Sequence, residues 1–383
     1  MKKIGVLTAT RAEYGLLYPV IKGLQAEGLE TAVLVTGAHL SEKHGMTYKE
    51  IEKDGIHIEA KIPILTDDDT PRGISLAMAN ALRGFSEYFS ENHLDALVVL
   101  GDRYETLAVC CAAMNERIPI FHLYGGETTE GAIDEAIRHS ITKMSYLHFT
   151  STEEYRRRVI QLGEAPERVY NVGAIGVENI KKLKLLSKEK LEEEIHFSLQ
   201  KPYAVVTFHP VTLEESEALK QVEELLAAIE QYQDMSFIIT GANADAGGGI
   251  INDRIFAYGK ERKNIFITSS LGQKKYLSAL KYAEFVMGNS SSGIIEAPSF
   301  GIPSVNIGDR QKGRIRAKSV IDCEIKCSAI VQAIEIARMR RQEKCSILNP
   351  YEKDNTVQSI VSIINEILNR KEINLKKEFY DWK

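Results

Sequence analysis

The sequence predicts an α/β protein built from two Rossmann-like, doubly wound domains that face each other across a cleft. Three observations carry that reading. Short aliphatic and β-branched runs alternate with longer amphipathic stretches. The alternation stops at a strongly charged segment, Lys181–Glu194, and then begins again. The length, 383 residues, suits two domains of roughly 100–200 residues each.

Taken in order, Lys3–Leu7, Thr31–Val35, Ala96–Leu100 and Ile118–His122 read as central parallel strands, which are buried on both faces and therefore continuously apolar. Gly15–Glu27, Gly73–Glu91 and Glu105–Glu116 read as the helices between them, so the repeating unit is βαβ and the sheet is parallel. The charged segment reads as linker and surface helix. Strands follow at Tyr203–Phe208, Met235–Thr240, Asn264–Thr268, Phe285–Met287 and Pro303–Ile307, with helices at Glu214–Gln231, Gln273–Ala283 and Ser328–Arg341. The boundary falls near residue 175, giving one domain over 1–175 and another over 176–355. A final helix at Thr356–Arg370 carries an Ile and Leu face that needs a surface.

Composition removes several classes of function. The net charge is −5 with 26% charged residues, so no basic excess argues for nucleic acid or an anionic membrane. Any bound anion must be caught locally. The five cysteines, Cys110, Cys111, Cys323, Cys327 and Cys345, are odd in number and form no CxxC pair. Neither a disulfide framework nor a zinc site is expected, and a reducing, cytoplasmic setting fits. The N-terminal apolar stretch is too short for a signal peptide, and no run approaches the ~18 residues of a membrane helix.

Ligands of doubly wound sheets lie beyond the carboxyl ends of the strands, so the residues there are the candidates. The first strand ends in Thr8-Ala9-Thr10-Arg11, without GxGxxG. Backbone N–H groups at the following helix start suit an anion, and Arg11 adds a guanidinium. An ordinary βα turn with a surface arginine is the plainer account. The run Ala96–Leu100 feeds Gly101-Asp102-Arg103, which puts Asp102 at the sheet edge as an acid/base group or as a helix N-cap. His122-Leu123-Tyr124-Gly125-Gly126-Glu127 follows the next strand, and then come Glu130, Asp134, Arg138 and His139. Asp134 and Arg138 stand at i and i+4, on one helix face. Paired carboxylates divide acid and base work when their surroundings differ.

In the second half, Thr207-Phe208-His209-Pro210 places a histidine at a strand end, and Asn243 and Asp245 precede a glycine run. Gly288-Asn289-Ser290-Ser291-Ser292-Gly293 reads as a strand end followed by a helix start, an anion site formed by hydroxyls and N–H groups. Glu296, farther along that helix, suits ribose hydroxyls. Arg310, Arg314 and Arg316 follow the next strand.

The motifs TATRAEYG, TGAHLSEKHGMTY, GDRYET, GGETTEGAIDEAIRHSITKMS, TFHP, NADAG and GNSSSGIIEAPSFGIPSVNIGDRQKGR occur in that order. Through them the chain resembles, over nearly its whole length, the hydrolysing UDP-N-acetylglucosamine 2-epimerases of the sialic-acid and legionaminic-acid pathways. The resemblance implies a glycosyltransferase-B-like fold, a C-terminal nucleotide-binding domain, and a C-terminal segment, 356–383, packed back on the first domain. It implies conversion of UDP-N-acetylglucosamine and water to N-acetylmannosamine and UDP through a 2-acetamidoglycal. By matching motif, Asp102, Glu127, Asp134 and His209 are the catalytic group. Arg11, Arg138, Asn243, Asp245, Ser290, Ser291, Glu296 and Arg314 bind the substrate. No metal or other cofactor is implied, and the assembly implied is a homodimer or homotetramer. Many members carry a glutamate two residues after the histidine matched by His122. This chain has Tyr124 there, so Glu127 or Glu130 takes its place, or the sugar is a 2,4-diacetamido-2,4,6-trideoxyhexose on UDP or GDP. A glycosyltransferase of the same fold is the competing class.

Overall fold

The structure, a computed structural model, describes residues 2–68, 70–130, 133–210, 217–242, 248–260, 262–343, 347–370 and 373–382. The chain folds into two compact units: Met1–Glu127, Asp134–Glu178 and Lys353–Lys383 form unit 1, and Thr128–Ile133 and Asn179–Glu352 form unit 2.

Unit 1 holds seven strands: β1 (Lys3–Thr8), β2 (Glu30–Thr36), β3 (Ile58–Ile62), β4 (Ala96–Leu100), β5 (Ile120–Leu123), β6 (Leu147–Thr150) and β7 (Val169–Asn171). They lie in the order β3-β2-β1-β4-β5-β6-β7, and every pairing is parallel. Unit 2 holds β8 (Tyr203–Thr207), β9 (Ser236–Thr240), β10 (Ile265–Thr268), β11 (Phe285–Gly288), β12 (Ser304–Ile307) and β13 (Val320–Cys323), ordered β10-β9-β8-β11-β12-β13 and again parallel. Each sheet therefore reverses its order once, between β1 and β4 and between β8 and β11. At such a point the strand-end loops diverge and leave a crevice. The predicted α/β class is the one observed.

The central strands formed where the sequence is continuously apolar. β4 and β8 are buried at every residue, as sheets covered by helices on both faces require. β3, β6, β7 and β13 were not expected. β3 and β13 are edge strands carrying charge, and β6 and β7 are short runs interrupted by polar residues. None presents the apolar run that marks a central strand.

Helix Arg11–Ala26 opens on a capping box. Thr10 accepts from the Glu13 amide while the Glu13 side chain returns to the Thr10 backbone. Its buried Leu17, Val20, Ile21 and Leu24 share a core with Val357, Ile360, Val361, Ile364, Ile367 and Leu368 of helix Thr356–Asn369. Gly23 permits that approach, since a Cβ there would lie 2.7 Å from Val361 Cγ2. Burying each such aliphatic side chain contributes about 1.5–3 kcal/mol. The Thr356 hydroxyl donates to the Val172 carbonyl (2.7 Å), and Glu178 accepts from the Val357 amide (2.7 Å), fixing the helix start. No helix of the described residues is long and apolar enough to cross a membrane.

Gly288, the last residue of β11, has φ +128°, and a Cβ there would lie 1.9 Å from the Thr207 carbonyl oxygen. Gly301 also has positive φ (+65°) but open space around it. Gly288→Ala should therefore cost about 3 kcal/mol or more, combining strain and overpacking, against about 1 kcal/mol for Gly301→Ala. Urea unfolding of both variants checks this, and equal losses would remove the steric role of Gly288.

Candidate active site

The reversal point of unit 1 gathers the ends of β1 and β4. Glu13 is buried, and its Oε2 accepts the amides of Ala9 (2.8 Å) and Thr10 (3.2 Å). Arg103 Nε lies 2.6 Å from Glu105 Oε1 and 4.0 Å from Glu13 Oε1. Burial, reinforced by the charge of Glu105 and only partly countered by Arg103, pushes Glu13 up to about 7. Next to this group His39 shares hydrogen bonds with the hydroxyls of Thr8 (3.0 Å) and Thr47 (2.8 Å), and burial lowers it to about 4. Arg11 pairs with Glu50 at 2.9 Å, both partly exposed.

One step along the sheet, Gly101 turns the chain with φ +78°. The helix that follows, Tyr104–Asn115, has Arg103 as its N-cap, so Asp102 stands outside the cap. Its carboxylate pairs with the guanidinium of Arg138. Arg138 lies on helix Asp134–Met144, is 1% exposed, and also donates through Nη1 to the Glu127 carbonyl (2.9 Å) and to Glu135 Oε2 (2.7 Å). A desolvated guanidinium needs this degree of satisfaction. Asp134, the first residue of the same helix, is partly exposed.

His122 sits beneath this cluster. Its Nε2 donates to the Gly101 carbonyl (2.8 Å), and its Nδ1 faces the Thr142 hydroxyl (3.4 Å). Burial lowers it to about 3, so the ring is neutral at ordinary pH. Glu127 is 3% exposed and accepts from the Ser151 hydroxyl at 2.8 Å. Glu130 is exposed and pairs with Lys312 at 3.3 Å. Tyr124 has φ +69°, and its hydroxyl accepts the Ile175 amide at 2.8 Å, which ties the end of β5 to the start of helix Ile175–Lys182.

In unit 2, an amide joins the ends of β8 and β11. Asn289 Oδ1 accepts the His209 amide (2.7 Å), and Asn289 Nδ2 donates to the His209 carbonyl (2.8 Å). His209 is buried, and burial, with the charge of Arg310, holds it well below the usual histidine range. The Asn289 carbonyl receives Gln311 Nε2 (2.9 Å) and Arg310 Nη1 (3.3 Å) from the turn after β12. Arg314 lies on that turn, its amide donating to the Gln311 carbonyl at 3.3 Å. Residues 128 and 130 lie against the same turn. The Glu130 amide donates to the Lys312 carbonyl (3.2 Å), and a Cβ at Gly313 would come within 2.6 Å of Thr128 Cγ2.

The serine run differs from expectation. The helix it opens, Ser292–Ile295, is a single turn that passes into a 3-10 turn, Ala297–Phe300. Pro298 has no amide to continue the ladder. Ser290 Oγ accepts the Ser292 amide (3.4 Å), and Glu296 caps the turn, partly exposed. The Tyr276 hydroxyl, which no sequence signal marked, lies near Ser292, Thr207 and the Glu296 charge, and burial pushes it up to about 12. Asn243 and Asp245 lie outside the described residues.

Unit 1 thus brings Asp102, Arg138 and the Glu127 main chain together, with Asp134 on the same helix, above a neutral histidine. Unit 2 offers hydroxyls, arginines and a second neutral histidine. The first arrangement suits proton transfer at carbon, and the second suits an anionic group.

The sequence profile of the UDP-N-acetylglucosamine 2-epimerase family matches residues 22–365. Polysialic acid biosynthesis protein P7 of Escherichia coli is 42% identical, with 100% of this chain and 98% of that protein aligned. GDP/UDP-N,N'-diacetylbacillosamine 2-epimerase (hydrolyzing) of Campylobacter jejuni is 44% identical over 85% of each chain. Among solved structures, UDP-GlcNAc 2-epimerase from Neisseria meningitidis bound to UDP-GlcNAc superposes with a TM-score of 0.80 at 19% identity, covering 96% of this chain and 100% of that one, a likeness of fold.

Glu13 gives the site a pH signature. An unfolded chain releases this proton near 4.5, the folded one near 7. Between those values folding retains a proton, so this group lowers stability as pH rises through the window. The stability of Glu13→Gln relative to wild type should increase from about pH 5 to about pH 7.5, by on the order of 3 kcal/mol. Urea midpoints across that range measure it, and a constant difference would show that Glu13 titrates like an exposed glutamate.

Proposed function

The chain belongs to the UDP-N-acetylglucosamine 2-epimerase family, and from that premise we propose that it is a hydrolysing nucleotide-sugar 2-epimerase acting on UDP-N-acetylglucosamine. The observation that carries the reading is the buried Arg138, which gathers Asp102 and the Glu127 segment at the carboxyl ends of β4 and β5. In this reading one carboxylate removes the proton from C2 while the C1–O bond breaks, and the nucleoside diphosphate leaves with the electron pair. The product is a 2-acetamidoglycal. Water then adds its hydroxyl at C1, a second carboxyl group returns a proton to the opposite face of C2, and N-acetylmannosamine is released. Asp102, Glu127 and Asp134 share these proton transfers.

Glu127 is preferred to Glu130 as the carboxylate replacing the glutamate absent at Tyr124. It is buried and oriented by Ser151, whereas Glu130 is exposed and paired with Lys312. His209, Ser290, Ser291, Arg11 and Arg314 face the diphosphate, Glu296 the ribose, and Asn243 and Asp245 the nucleotide. Arg138 serves chiefly to orient Asp102. A second reading keeps the chemistry and changes the sugar to a 2,4-diacetamido-2,4,6-trideoxyhexose, favoured by the 44% identity to the Campylobacter protein.

Incubation with UDP- and GDP-sugars in D₂O, without acceptor, followed by NMR, separates these outcomes. Free nucleoside diphosphate and a C2-inverted, C2-deuterated free sugar are expected. An epimerised nucleotide-sugar would mean a non-hydrolysing enzyme, and no release without an acceptor would mean a glycosyltransferase. Asp102→Asn should lower turnover by about 10²–10⁴-fold with UDP affinity retained. Arg314→Ala, which removes a charged hydrogen bond of about 1.5–3 kcal/mol, should weaken UDP binding roughly ten- to a hundred-fold by calorimetric titration.

A further inference from the structure

The last described stretch, residues 373–382, has no regular secondary structure, yet it is bound to unit 1. Lys377 anchors it. The Nζ donates to the carbonyls of Lys143 (2.9 Å) and Ser145 (2.7 Å) and pairs with Glu164 Oε2 (2.7 Å). Two residues on, the Phe379 ring covers Gly163, where a Cβ would lie 2.3 Å from the ring. The Tyr380 amide donates to the Gly163 carbonyl at 3.0 Å. The Lys143 ammonium stands 5.2 Å from the centre of the Phe379 ring.

The two carbonyls that receive Lys377 lie at the C-terminal end of helix Asp134–Met144. There the last carbonyls lack intrahelical partners and the helix dipole is negative, so an ammonium is the matching group. Arg138 projects from the same 11-residue helix and holds both Asp102 and the Glu127 carbonyl. A helix of that length is a stiff rod, about 16 Å long, so displacing its end displaces the guanidinium.

Ile373 packs against the core of unit 1, but the large apolar residues after it stand mostly outside that core. Leu375, Phe379, Tyr380 and Trp382 are 41%, 65%, 40% and 61% exposed. Glu164 has two further partners besides Lys377, Lys143 (2.6 Å) and His148 (3.1 Å). Lys377 thus directs two of its N–H groups to a helix end that carries site residues and the third to Glu164.

We propose that Lys377 is a positioning residue: from the C-terminal tail it clamps the end of helix Asp134–Met144 and thereby fixes Arg138 and the Asp102 carboxylate. The proposal rests on the reading of Asp102 as an acid/base group.

Trp382 is the sole tryptophan of the chain and lies on this tail, so its fluorescence reports docking without a label. In full-length Lys377→Met, Trp382 should become more mobile by anisotropy and more accessible to iodide. The kcat should fall about 10- to 100-fold, as small misplacements of reacting groups do, with KM and thermal midpoint near wild type. Lys377→Arg, which keeps the cation and its donors, should restore docking and most of kcat. A released Trp382 with wild-type kcat overturns the proposal. So does a lowered kcat with Trp382 still docked, or a fall in kcat matched by a fall in thermal midpoint. If wild type releases nucleoside diphosphate from no nucleotide-sugar while Lys377→Met still frees Trp382, the epimerase reading itself fails, and this outcome is distinct from the others.

Discussion

Arg138 is the constraint around which unit 1 is arranged. A guanidinium at 1% exposure has lost its water, at a cost of several kcal/mol unless its donors find acceptors. It carries five N–H groups and cannot escape by losing its charge. The acceptors come from three separate parts of the chain: Asp102 after β4, the Glu127 carbonyl after β5, and Glu135 on its own helix. Those segments must converge, and they do so through sharp turns. Gly101 and Gly126 both have φ +78°, and at Gly126 a Cβ would lie 2.4 Å from the Tyr155 carbonyl oxygen. The glycines of the GDR and GGE motifs are therefore read as conditions for the convergence.

Unit 2 solves the corresponding problem without charge. Where its sheet reverses, the side-chain amide of Asn289 pairs with both backbone groups of His209 and so joins the ends of β8 and β11. An amide offers a donor and an acceptor at fixed separation, which a carboxylate or an ammonium does not. In this unit charge enters with the turn after β12, which carries Arg310 and Arg314. A neutral frame bordered by guanidinium groups is consistent with anion binding, as an acid-bearing frame held by one arginine is with proton transfer.

The residues that declared themselves in the sequence are those with a local signature. Continuous apolar runs marked β1, β2, β4 and β8, because a strand covered on both faces admits little else. A carboxylate or histidine directly after such a run marked Asp102 and His209. Edge strands such as β3, with the sequence IEAKI, lie half in solvent and lose that signature. Long-range partnerships were also hidden. Nothing near Asp102 identifies Arg138, 36 positions later, as its partner, and the i,i+4 spacing drew attention to Asp134 instead. The role of Asn289 depends on two strand ends meeting, and Glu13 resembles an ordinary capping-box acid until its burial beside Arg103 and Glu105 is known. The serine run promised a longer helix than Pro298 allows.

The buried imidazoles have a consequence for how the protein responds to its solvent. His39, His122, His148 and His209 are all held below their ordinary protonation range, with burial the largest cause in each case. An unfolded chain in mildly acidic solution would protonate them, while the folded chain takes up these protons only at lower pH, so unfolding there is coupled to proton uptake. The stability they contribute at neutral pH is lost as pH falls below about 6.5. The heat absorbed on melting then includes protons drawn from the buffer. Scans in acetate and in a buffer with a large ionisation enthalpy would give different apparent enthalpies for the same transition.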